Sequence, residues 1–92
     1  MQYRPARRPS DKTVSLRVAD RVRTVSVLDV SAEGLKIALS DPLPPGTEVV
    51  IATMRLRVVG TVRWWRQGRA GILLAEPADT ATQAELSGAW SA

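Results

Sequence analysis

The sequence predicts an all-β domain, an antiparallel barrel or sandwich, with a short helix at its C-terminal end. Three observations carry this reading. Six short runs alternate apolar and polar residues between positions 13 and 75, the period of strands with one buried face. Turn-forming residues separate the runs, most plainly DPLPPG at 41–46. After Pro77 the pattern changes to DTATQAELSGAW, which lacks strand alternation and opens on helix-start residues.

Each element follows from its residues. Residues 1–12, MQYRPARRPSDK, hold no periodic apolar positions, and Pro5 and Pro9 interrupt any helix; a mobile basic arm is expected there. The domain proper is expected over 13–92. TVSLRVA (13–19) places Val14, Leu16 and Val18 on one face, and a turn at 20–21 leads into VRTVSVLD (22–29). GLKIALS (34–40) alternates through Leu35, Ile37 and Leu39. TEVVIAT (47–53) and the long RLRVVGTVRWWR (55–66) follow, with Gly60 as the expected bulge. If Gly60 causes no slip, Trp64 is in phase with Val58 and Val62 and is expected in the core, with Trp65 outside. QG (67–68) turns the chain into RAGILLA (69–75). A helix is expected over 79–90, with Thr80 and Gln83 as a capping box and Trp90 as its docking anchor.

Composition narrows the chemistry. The chain has 92 residues, enough for one modest core. It contains neither cysteine nor histidine, so the common nucleophile–base pairs and transition-metal sites cannot be assembled. No enzyme, cofactor or metal is therefore expected. No apolar run approaches the roughly 18 residues of a membrane span, and a soluble cytoplasmic protein is expected.

The charge is uneven. Residues 1–23 carry seven basic and two acidic side chains, whereas the rest carry six basic and seven acidic. The whole net charge of +4 thus belongs to the N-terminal quarter. Eleven of the thirteen basic residues are arginine, which favours planar, bidentate recognition of phosphate or guanine over plain solvation.

Two patterns stand out. VLDVSAEGLKI (27–37) sets Asp29, Ser31 and Gly34 at the spacing D-x-S-x-x-G. Taken alone, it fits a turn and a ligand site equally well: Asp and Ser bond nearby backbone N–H groups, and Gly supplies a positive φ. RPARR sets Arg4 and Arg8 at R-x-x-x-R. That spacing recurs at Arg17 and Arg21, but Arg17 lies in an alternating strand and reads as a solvated side chain. The stretch RWWRQGR (63–69) is also compatible with a basic–aromatic nucleic-acid surface.

An R-x-x-x-R arm before the first strand, with D-x-S-x-x-G about two strands later, resembles the PilZ domain family of cyclic di-GMP receptors. PPGTEVVI, GTVRWW and RAGILL are similar to further parts of the family pattern, in the right order, so the resemblance spans residues 3 to about 75. It implies a six-stranded antiparallel PilZ-type β-barrel with a short C-terminal helix. It also implies that Arg4 and Arg8 grip guanine and phosphate, that Asp29 contacts guanine, that Ser31 bonds a phosphate or base edge, and that Gly34 allows close approach and the turn. Arg7 and Tyr3 are possible secondary contacts. Pro9 departs from the family pattern, which usually has an apolar residue entering the strand.

The function these implications point to is a small stand-alone cyclic di-GMP receptor. It would signal through ordering of its arm and altered binding to an unidentified downstream protein. The alternatives are a PilZ-fold interaction adaptor that binds no nucleotide and, less favoured, a small-barrel nucleic-acid-binding protein.

Overall fold

The computed structural model describes residues 8–9 and 12–88. Its strands are β1 (Arg8–Pro9), β2 (Thr13–Val18), β3 (Arg21–Val30), β4 (Gly34–Ala38), β5 (Glu48–Ala52), β6 (Arg57–Arg66) and β7 (Arg69–Leu74), followed by helix α1 (Thr80–Ser87). The six predicted strands are all present, as β2 to β7, with ends displaced by one or two residues. They close a six-stranded antiparallel barrel in the order β3-β2-β5-β6-β7-β4, and β4 pairs back onto β3. Closure leaves none of these six strands with a free edge along its whole length.

Strand alternation fills the barrel. Val14 and Leu16 of β2, Val25 and Val27 of β3, and Ile37, Ile51, Val62 and Ile72 all point inward and are buried. Each fully buried Val, Leu or Ile contributes roughly 1.5–3 kcal/mol.

The strand phase breaks in β3 between Val27 and Asp29, and again in β6. Gly60, the expected bulge, pairs regularly with Val49 and Leu74. The irregularity falls between Val62 and Trp64, where Val62 faces Ile72 and Trp64 faces Gly71. One extra residue reverses the faces that follow. Trp64 therefore lies outside with 38% of its surface exposed. Trp65 is the residue that packs on the core, and its indole N–H donates to the Leu39 carbonyl at 2.8 Å. The predicted assignment of the two tryptophans is thus inverted.

Helix α1 is shorter than expected and starts differently. Its N-cap is Asp79, in extended backbone, whose carboxylate accepts from the Thr82 N–H at 2.7 Å. Thr80 is already inside the helix, and Gln83 donates instead to the Ala78 carbonyl. A carboxylate at the cap satisfies an orphan N–H and opposes the helix dipole, so it outcompetes the threonine. The helix ends at Gly88 in the left-handed region. Trp90 lies outside the described residues. Leu86, completely buried, carries the docking onto the barrel core.

Next to Leu86 in sequence, Glu85 is an unusual buried charge at 5% exposure. Its carboxylate pairs with Lys12 Nζ at 3.1 Å and lies 3.9 Å from Arg55 Nε. A hydrogen bond from the Thr53 hydroxyl holds this carboxyl below its ordinary 4.5, helped by Lys12 and Arg55 and opposed by desolvation. The pairing therefore stabilises the fold above pH 4.5 and is lost as pH falls below 4.5 through the lowered native value. Glu85→Gln is expected to be less stable than the parent at neutral pH and to converge with it on acidification. Urea unfolding followed by tryptophan fluorescence across that range checks this, and a gap independent of pH would contradict it.

Candidate functional site

The D-x-S-x-x-G residues occupy the end of β3, the connection at 31–33 and the start of β4. Ser31 accounts for the turn. Its N–H donates to the Gly34 carbonyl at 2.8 Å, its hydroxyl donates to the same carbonyl at 3.3 Å, and it accepts from the Glu33 N–H at 3.3 Å. The connection is also tied from outside, because Leu74 N–H donates to Glu33 and Ala78 N–H donates to Ala32.

Gly34 serves a purpose other than the one expected. It is not among the positive-φ glycines, which are Gly46, Gly68 and Gly88. A Cβ at Gly34 would instead collide with the Ile72 carbonyl oxygen of β7. The close approach seen at Gly34 is to the protein's own backbone, and the bend itself comes from Ser31.

Asp29 is half-buried, with 20% of its side chain exposed, and pairs with Lys36 Nζ of β4 at 3.4 Å. Asp29, Ser31 and Gly34 line one concavity of about 150 Å³, together with Lys36, Arg63 and Trp64. The last three were not singled out from the sequence as parts of this site. Lys36 stands two residues after Gly34 on the same strand face and was open to alternation arguments. Trp64 was hidden by the bulge. It reaches the site because its indole lies against Gly71, where a Cβ would meet ring atoms.

The arm motif meets the second motif through backbone. Arg8 is opposite Val30 and Pro9 opposite Asp29 in the β1–β3 ladder. Pro9 is tolerated because β1 pairs on one side only, at the end of the strand order. Tyr3, Arg4 and Arg7 lie outside the described residues, and of Arg8 only the backbone is described.

The tight Gly34–Ile72 approach generates a test. Gly34→Ala is expected to lose about 1–3 kcal/mol of stability, the range for forcing extra volume into packed structure. Urea denaturation measures this; a variant as stable as the parent would show that β4 can retreat from β7 freely.

Chemically, the site combines two carboxylates (Asp29 and Glu33), a hydroxyl, two cations and an exposed indole on a sheet. Among the described residues no helix is long and apolar enough to cross a membrane. No curated protein matches the chain significantly. The family model for the PilZ domain does match, over residues 2–88. On that span, and with the closed barrel and the D-x-S-x-x-G turn in place, the chain belongs to the PilZ domain family.

Proposed function

We propose that this protein is a cyclic di-GMP receptor whose ligand is held between the arm and the Asp29–Gly34 turn. The family is one of cyclic di-GMP receptors, and its domains are typically binding or adaptor modules. The observation that carries the reading is the β1–β3 register, which sets the backbone of Arg8 against Val30, directly beside Asp29. The end of the first motif thereby lies in register with the start of the second.

The chemistry matches residue by residue. Guanine presents O6 and N7 as adjacent acceptors, the pair a guanidinium fork fits best. Arg4 and Arg8 supply those forks and serve the phosphodiesters, with Arg7 and Tyr3 as secondary contacts. The Asp29 carboxylate accepts from guanine N1–H and N2–H, and the Ser31 hydroxyl bonds a phosphate or base edge. The concavity of about 150 Å³ is smaller than the roughly 300–1,000 Å³ of typical ligand pockets. A dinucleotide seated there needs a cover, and in this reading the arginine arm provides it. The signal is the closure of the arm, read by a downstream partner protein. Closure responds to ligand only because the arginines contact it mainly in the closed state.

Calorimetric titration of the purified protein with cyclic di-GMP tests the reading. Binding in the micromolar range or tighter is expected, roughly −8 kcal/mol or better. Arg8→Ala is expected to abolish it with the circular dichroism spectrum unchanged, and Asp29→Ala to weaken it less. Normal binding by Arg8→Ala would remove the arm from the site. No heat of binding at about 50 μM ligand, a level that would detect binding of about −6 kcal/mol, would favour the adaptor instead.

A further inference from the structure

The β6–β7 hairpin carries a second recognition surface that the dinucleotide reading does not use. The cross-strand register aligns two rows on the outer face of the barrel. One row runs Asp29, Lys36, Gly71, Trp64. The next, one pleat towards the hairpin end, runs Ser26, Ala38, Arg69, Arg66. Arg66 and Arg69 face each other directly, a like-charge pair that costs stability in a sheet. Neither has an ion-pair partner among the described residues. With Lys36, Trp64 and Gln67 they line an open cleft of about 500 Å³ that contains no acidic residue.

The scaffold under this cleft is rigid. Gln67 and Gly68 both adopt positive φ, 51° and 78°, the conformation of a tight two-residue hairpin turn. The Gly68 carbonyl accepts from the Leu39 N–H at 2.8 Å, and Trp65 donates to the Leu39 carbonyl at 2.8 Å. These bonds pin both sides of the hairpin to the chain just beyond β4. Trp64 is laid against Gly71 and keeps 38% of its surface exposed.

We infer that this face binds single-stranded nucleic acid, Arg66 and Arg69 taking phosphodiesters while a base stacks on Trp64. Guanidinium groups beside an exposed indole on a rigid sheet are the elements of a sequence-tolerant single-strand surface. An acidic polypeptide would satisfy the arginines but make no use of the indole. The surface stands whether or not the neighbouring concavity takes a dinucleotide, since its arginines lie on the hairpin and not on the arm.

The test is fluorescence anisotropy of the full chain with a labelled single-stranded DNA of about ten nucleotides, within the site sizes known for small barrels. Binding is expected to weaken with salt, and Arg66→Gln/Arg69→Gln to reduce the log–log salt slope by about 1.4, two phosphate contacts at 0.7 each. Trp64→Ala is expected to weaken binding roughly tenfold, the loss of one stacked base. Because Arg66 and Arg69 are exposed, the double variant should keep the parent circular dichroism spectrum. Unchanged probe affinity in the double variant would overturn the inference, as would absence of binding at low salt. Equally tight binding of a duplex, or displacement by polyglutamate as effective as by unlabelled strand, would show that the face reads charge alone and would also overturn it.

Discussion

The approach of Gly34 to the Ile72 carbonyl is the constraint on which the rest of the molecule depends. Strand β4 must pair with β3 on one side and β7 on the other for the barrel to close. At the first residue of β4 the backbones come so near that no side chain fits between them. Glycine there lets closure begin immediately after the turn, so the turn cannot drift away from the sheet. Ser31 bends the chain, Glu33 and Ala32 accept from Leu74 and Ala78, and Asp29 is left at the rim with Lys36 across from it. The candidate site is thus a by-product of barrel closure, held by the same bonds that complete the fold.

A second constraint lies opposite, in β6. The extra residue between Val62 and Trp64 turns one tryptophan into the core and the other onto the surface. Without it, Trp64 would compete for the barrel interior and the outer face would lose its aromatic. A bulge raises the local twist of a strand. Here it also decides which indole donates to Leu39 and which lies over Gly71. Gly71 completes the arrangement from β7, because any side chain at that position would lift the Trp64 ring off the sheet.

Much of this was legible in the residues. Period-two alternation located all six barrel strands, and D-x-S-x-x-G fell on the connection from β3 to β4. What escaped has physical reasons. A bulge between Val62 and Trp64 leaves no composition mark, since no Gly or Pro stands at positions 62 to 64, and Gly60 drew the expectation away from it. The role of Gly34 depended on β7, nearly forty positions further along, beyond any local turn argument. Thr80 with Gln83 offered a capping box and drew the expectation away from the adjacent Asp79, the stronger cap. Lys12, placed by its sequence in the arm, proves to be tied to the helix by Glu85, a pairing that no spacing rule connects.

The Asp29–Lys36 pair lies between the concavity and the hairpin cleft. At 20% and 30% side-chain exposure it is neither a solvated surface pair nor a sealed one, so its Coulomb energy is modest and its partners can be exchanged. Asp29 faces the side where the Arg8 backbone lies, and Lys36 faces Trp64 and the hairpin arginines. While the two are paired, their charges offset each other. In the proposed complex, a guanine edge that engages Asp29 would compete with the ammonium for its carboxylate. Lys36 would then add its charge to the side held by Arg66 and Arg69. The two surfaces thus meet at one ion pair, with Asp29 lining the concavity and Lys36 lining both the concavity and the hairpin cleft.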